Sequence, residues 1–248
     1  RGVVAPEFVG MKLQSLLPIV QRNAMALIQK FTTKQASLIA EKAALKGEID
    51  IVDDFATRLP LNVILDVLDL PQEAHEMFHS WYPAMMNGIS GGPNLRIAGQ
   101  KANAEYHNYL EPLIKERSLN PGDDLLSRLS VTEVDGKRMT PAEIKSFASL
   151  ILVAGAETTD KAIANLWYQL LAHPDQWKAV QGDPELLDRA FTEMMRIHGP
   201  AGAQTRKTIK DVNLHGVTIP AGEYVHLSLY GANRDERVFK DPDTFNLF

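Results

Sequence analysis

The chain has 248 residues, 45% of them hydrophobic, a formal net charge of −5 and no cysteine. A chain of this length can bury a sizeable core, while the charge and the absence of a long basic run argue against a nucleic-acid partner. No apolar run approaches the ~18 residues that a membrane span needs, and without cysteine these residues offer no disulfide, thiolate nucleophile or thiolate metal ligand. The missing thiols fit a reducing compartment, and a cytoplasmic location is expected. The chain opens on Arg1-Gly2 and stops at Asn246-Leu247-Phe248. It therefore reads as one partial domain cut from a longer protein at both ends.

Val3 to Phe8 is short and apolar. Helical spacing follows from Met11 to about Phe31, where Pro18 should start or kink a helix. A further helical stretch runs to Leu45 and ends at Lys46-Gly47. Ile49 and Ile51 flank Asp50 with a period of two, which predicts a short strand. Asp53 or Asp54 can cap a helix through Leu61, Ile64, Leu65 and Leu68. Pro71 opens another through Phe78 and Trp81. The Gly88 to Pro93 cluster predicts a loop, Leu95 to Arg117 a helix, and Asp123 or Asp124 the cap of a short helix to Leu129. Val134 to Lys137 is a turn.

The longest helical pattern runs from Thr140 to His173. Thr140-Pro141-Ala142-Glu143 is a capping box with proline at the first helical position. At 1.5 Å per residue the helix is a rod of ~50 Å. Phe147 to Val153 is almost wholly apolar, which predicts a helix buried on all sides. Into it fall Ala154-Gly155-Ala156-Glu157-Thr158-Thr159: a glycine costing ~1 kcal/mol relative to alanine, an acid and two hydroxyls. Thr158 can hydrogen-bond the Ala154 carbonyl and bend the helix there. An acid beside an alcohol can hold water and pass protons. A capped polar pair inside a bundle explains the stretch equally well. Asp183-Pro184 starts the next helix, with Leu186, Leu187, Ala190, Phe191, Met194 and Ile197 on one face, and Gly199-Pro200 stops it. Short β-like runs follow at Val212–Leu214, Val217–Ile219 and Tyr224–Leu229. The fold class is mainly α (α+β): a long central helix in a helical bundle with a small antiparallel sheet.

Two local motifs carry little weight. His75-Glu76-Met77-Phe78-His79 fits H-E-x-x-H, a zinc-hydrolase pattern, but its flank is charged and no third ligand is evident. Gly88-Ile89-Ser90-Gly91-Gly92 fits G-x-S-x-G, but a nucleophile elbow needs a strand before it and a helix after it; a helical run precedes it here. His107, His173, His198, His215 and His226 show no ligand spacing.

Three signals remain. They are the Ala154–Thr158 stretch; Glu193 and Arg196, an i, i+3 pair on one helix face; and Arg206 with the downstream runs Pro220-Ala221-Gly222 and Ala232-Asn233-Arg234-Asp235. In combination they resemble the cytochrome P450 family of the soluble bacterial type. The resemblance covers essentially the whole chain and is strongest from Asp123 onward.

The resemblance implies a haem (iron protoporphyrin) monooxygenase. Such an enzyme inserts one atom of O2 into a small lipophilic substrate, with electrons from NAD(P)H through a ferredoxin-type or flavin reductase donor. It casts Glu157 and Thr158 as the proton relay. Ala154 and Gly155 would admit O2 and haem to the helix backbone. Arg206 and Arg1 would pair with haem propionates, and Leu150, Val153, Ala201, Gly202 and Ala203 would line the substrate. Glu193 and Arg196 would be structural. The family's haem ligand is a cysteine thiolate, which would lie beyond Phe248, so the parent protein is expected to be active and these residues alone inactive. Competing readings are a related protein that uses peroxide or rearranges its substrate without activating O2, a haem-free helical ligand-binding domain, and the zinc hydrolase.

Overall fold

The computed structural model describes residues 10–40 and 49–248. Arg1, the Val3–Phe8 segment and the predicted helix end at Leu45–Gly47 lie outside the described residues. The chain forms two compact units, one ending at Asp160 and the other running from Lys161 to Phe248.

The first unit opens with helices α1 (Gly10–Ser15) and α2 (Leu17–Ala40). Pro18 sits in the first turn of α2, where its missing N–H costs nothing. The strand expected at Ile49–Ile51 is absent. The Asp50 carboxylate accepts the backbone N–H groups of Val52 (2.9 Å) and Asp53 (3.1 Å), so a cap replaces the strand. A π-helical turn, Val52–Ala56, then leads into α3 (Arg58–Val67). A 3-10 turn (Gln72–Ala74) precedes α4 (His75–Ser90), and α5 spans Pro93–Leu119.

The loop predicted from Gly88 is shorter than expected, because α4 continues to Ser90. Gly88 is helical for a packing reason. A methyl group there would lie 2.8 Å from the Gly99 Cα, and one on Gly99 would lie 2.8 Å from the Gly88 Cα. The two glycines let α4 and α5 touch backbone to backbone.

Helix α6 (Leu125–Val131) is capped by Asp124, whose side chain accepts the Ser127 N–H at 2.8 Å. Strands β1 (Glu133–Val134) and β2 (Lys137–Arg138) pair as a hairpin. Its tip, Asp135 and Gly136, takes the positive φ angles that a two-residue turn requires (52° and 72°). Helix α7 follows, Pro141–Ala172. Its predicted capping box is present: Glu143 accepts from the Thr140 N–H (2.7 Å) and Oγ1 (2.9 Å).

The core of this unit gathers Leu61, Leu65, Phe78, Tyr106, Leu110, Leu126, Leu129 and the α7 stripe Ile144–Ala148–Leu152–Ala156. Fully burying each large apolar side chain stabilises by roughly 1.5–3 kcal/mol. The Phe78 ring meets Trp81, Tyr106 and Tyr109 edge-on at 5.2–5.6 Å. Buried Arg117 ties the end of α5 to the loop after α3, donating to the Asp69 carbonyl at 2.6 Å and to Asp124 at 3.3 Å.

The second unit holds the rest of α7, then α8 (Pro174–Gly182) and α9 (Leu186–His198). Helix α8 was not foreseen, although Pro174 at its first position is a start signal. Strands β3 (Ala203–Lys207), β4 (Val212–Leu214), β5 (Val217–Ile219) and β6 (Tyr224–Ser228) precede a short α10 (Leu229–Ala232). With the first hairpin they make separate two-stranded antiparallel ribbons, β1–β2, β3–β6 and β4–β5, where one small sheet was expected. The α9 face buries Ala190, Met194 and Ile197 against Leu170, Val180, Phe245 and Leu247. Leu187 and Phe191, expected on that face, are exposed.

Candidate functional site

Helix α7 is not buried on all sides. One stripe packs into the core, and the opposite side leaves Leu150 58% exposed, with Ala154 and Thr158 open as well. Residues four apart share a helix face, so Leu150, Ala154 and Thr158 form one strip, with half-buried Val153 and Glu157 alongside. The Thr158 Oγ1 donates to the Ala154 carbonyl at 2.8 Å, as the sequence predicts. That bond uses the hydroxyl hydrogen and leaves the oxygen's lone pairs facing the open strip. Tyr82 of α4 donates to Asp160 at 3.4 Å; burial first, then the Asp160 carboxylate, push its phenol pKa up.

Gly155 also has a close neighbour within its own unit. It is half-buried, and a Cβ added to it would lie 3.0 Å from the Ile64 Cδ1 of α3. A larger residue there would need that methyl group to give by a few tenths of an ångström, while Ala154, one residue earlier, is exposed.

In the second unit, Arg196 uses every guanidinium N–H. Its Nε and one terminal nitrogen grip both Glu193 oxygens at 2.7 Å. The remaining donors reach the carbonyls of Asn233 (2.9 Å), Pro242 (2.6 Å) and Thr244 (3.1 Å). The Phe239 ring lies 5.1 Å from the guanidinium carbon, and Glu193 also accepts the Asn246 N–H at 3.1 Å. The pair clamps the 233–246 segment onto α9.

Arg206 stands exposed on β3, opposite Val225 of β6. Its guanidinium donates to the Thr205 carbonyl (3.0 Å) and the Gln204 side-chain oxygen (2.7 Å). Both acceptors are neutral, so the cation has no carboxylate partner among the described residues. Gly202 lies under the Tyr230 ring, where a Cβ would come within 2.5 Å. Its carbonyl accepts the N–H groups of Leu229 (2.9 Å) and Tyr230 (3.1 Å). Ala201 and Ala203 beside it are exposed. Arg1 lies outside the described residues.

The zinc motif has other work. His79 Nε2 donates to the Asn62 side-chain oxygen at 2.8 Å, and His75 sits 3.8 Å from Asp66. Among the described residues no group of three or more metal-ligating side chains occurs. Burial, then Arg58, lower the His79 pKa from 6.5 to about 4. Between those values the unfolded chain binds a proton that the folded one refuses, so stability is lost as pH falls from 6.5 towards 4. The contribution is on the order of 1 kcal/mol after allowance for partial exposure. Urea midpoints at pH 7 and 4.5 should show a shallower loss in His79→Gln than in wild type. Identical pH dependence in the two would refute this role.

A set of side chains missed by sequence reading borders a cavity of about 470 Å³ between α4, α5 and α7, within the first unit. Arg96, Gln100 and Asn103 come from α5, and Ser146 and Ser149 from α7. The signal available was the polar spacing 96, 100, 103 along α5, which reads as an ordinary solvated face.

The fold is mainly helical, built around one long helix whose Ala154–Thr158 stretch is open on one side. The family model "Cytochrome P450" matches residues 1–248, and the chain belongs to the cytochrome P450 family. It is 37% identical to cytochrome P450 monooxygenase PikC of Streptomyces venezuelae over 100% of this chain and 56% of that protein. It is 36% identical to the vitamin D(3) 25-hydroxylase of Pseudonocardia autotrophica, over 100% of this chain and 58% of that one. The solved structure of ligand-free cytochrome P450 TbtJ1 superposes with a TM-score of 0.88 at 32% identity, covering 100% of this chain and 63% of that one. The chain thus spans somewhat more than half the length of the relatives it matches.

Members of this family bind haem. The residues present fit part of that group's needs. Arg206 is a cation without a carboxylate partner among the described residues, suited to a propionate, and the Ala154–Thr158 strip is open and small. No cysteine occurs in the chain, so the thiolate ligand is not among these residues. No described helix is long and apolar enough to cross a membrane.

Proposed function

We propose that the protein carrying this chain is a haem monooxygenase that inserts one atom of O2 into a small lipophilic substrate in the cytoplasm. Electrons come from NAD(P)H through a ferredoxin-type or flavin reductase donor. The observation that carries the reading is the open strip on α7, where Thr158 turns its hydroxyl hydrogen back to the Ala154 carbonyl at 2.8 Å.

When bound, haem supplies the iron that activates O2. Ala154, with only a methyl group, lets the reactants lie close to the helix. The Thr158 oxygen accepts a hydrogen bond from water on the open side and holds it there. Glu157, one residue earlier and half-buried, supplies protons to that water. Leu150 and Val153 exclude bulk water and hold the substrate's apolar body, with Ala201 and Ala203 serving the same purpose on their own unit. Arg206 pairs with a propionate, as does Arg1. Glu193 and Arg196 act through structure, holding the 233–246 segment.

The test is the haem content and the reduced, CO-bound spectrum of the complete protein. Stoichiometric haem with a thiolate-type band is the expected result. The 248-residue chain with added haem should give no such band, because it has no cysteine. A complete protein that binds no haem overturns the reading.

A further inference from the structure

The cavity between α4, α5 and α7 is lined by two chemically distinct sets of side chains. Met85, Ile89, Leu150 and Val153 make an apolar wall. The second set is polar and uncharged apart from one cation: Arg96, Gln100, Asn103, Ser146 and Ser149. Arg96 is exposed and makes no ion pair or side-chain hydrogen bond among the described residues.

Asn103 is oriented by a chain of bonds. The Ser149 hydroxyl donates to the Asn103 side-chain oxygen at 3.2 Å, and that same Ser149 oxygen lies 2.8 Å from His107 Nε2. Since the single Ser149 hydrogen is committed to Asn103, the His107 N–H must donate to Ser149. Burial, then Lys145, lower the His107 pKa, which keeps this neutral arrangement. The Asn103 oxygen is therefore turned towards Ser149, which directs its NH2 group, with two donors, away from Ser149.

No aspartate or glutamate lines the cavity, in a chain whose net charge is −5. A neutral apolar molecule would leave the guanidinium and the amide to water and gain nothing from either. An amine would meet an unopposed cation. A carboxylate can take the two-pronged bond that a guanidinium makes best.

We propose that this cavity selects lipophilic carboxylic acids. The apolar body lies along Met85, Ile89, Leu150 and Val153, and the carboxylate is held by Arg96 and the Asn103 NH2. Ser149 is a positioning residue, fixing which way the Asn103 amide points. The volume lies within the ~300–1,000 Å³ of small-molecule sites. The monooxygenase reading is needed only to call the bound acid a substrate.

Calorimetric titration of the complete protein with decanoate and with 1-decanol tests this. Decanoate should bind about tenfold tighter than decanol, a difference of ~1.4 kcal/mol. Arg96→Gln should remove about that factor for decanoate and leave decanol within about twofold, while Arg96→Lys keeps part of the preference. Equal binding of acid and alcohol, no binding of either, or indifference of decanoate to Arg96→Gln overturns the proposal. Haem content of the same samples separates the two readings. A haem-free protein that still binds decanoate through Arg96 sinks the monooxygenase reading and keeps the site. A haem-loaded protein indifferent to Arg96 sinks the site alone.

Discussion

Replacing Arg196 with leucine should leave little or no folded protein. The side chain is 11% exposed and its partner Glu193 16%. Removing it strands a carboxylate and the carbonyls of Asn233, Pro242 and Thr244. Breaking one member of a buried ion pair costs about 3–5 kcal/mol, and whole domains are stable by only about 5–15 kcal/mol. Leucine has nearly the same bulk of stem, so the loss is one of hydrogen bonds rather than volume. Arg196→Lys should recover little, since an ammonium cannot grip both Glu193 oxygens and reach three carbonyls at once. Soluble yield and the urea midpoint measure the effect. A leucine variant within about 1 kcal/mol of wild type would show that the clamp is ornamental.

Thr158→Ala should leave folding intact and damage the chemistry. The residue is exposed, and its bond to the Ala154 carbonyl is local to one helix turn, so the melting temperature should stay close to wild type. Positioned proton transfer is typically worth 10²- to 10⁴-fold. The predicted readout is coupling: NAD(P)H consumption within about twofold of wild type, but product formed per NAD(P)H down by about tenfold or more, the difference appearing as hydrogen peroxide. Thr158→Ser retains the hydroxyl and should restore most of the coupling. If alanine couples as well as threonine, the relay role is lost, whatever happens to turnover.

What could be read from sequence divides by distance along the chain. The capping box of Thr140 and Glu143 spans three residues, and so does the Glu193–Arg196 grip; both follow from helix geometry. The carbonyls that complete the grip lie 37–48 residues away from Arg196, and no spacing rule reaches them. Ser149 meets Asn103 and His107 across 46 and 42 residues, so the bonds that orient the cavity's polar side chains follow from no local spacing. Gly155 was legible as an anomaly but not as a cause. The sequence calls for a close neighbour, and the Ile64 methyl, 91 residues earlier in the chain, is one that no spacing rule reaches. Ile49 and Ile51 misled because a period of two is weak over three residues, and Asp50 offered the backbone a cap that periodicity does not register.

The contact of Gly88 with Gly99 bears on how this pocket could be re-tooled. Helices α4 and α5 already meet at bare backbone, so they cannot be drawn closer, and any side chain at either position wedges them apart. Cavity size is therefore adjustable in small increments through Met85, Ile89, Leu150 and Val153, over a crossing point that stays put. Change at either glycine acts as a coarse control, shifting both helices and everything mounted on them. A directed-evolution campaign for new substrates has its fine adjustment at the four wall residues and its risk at the two glycines.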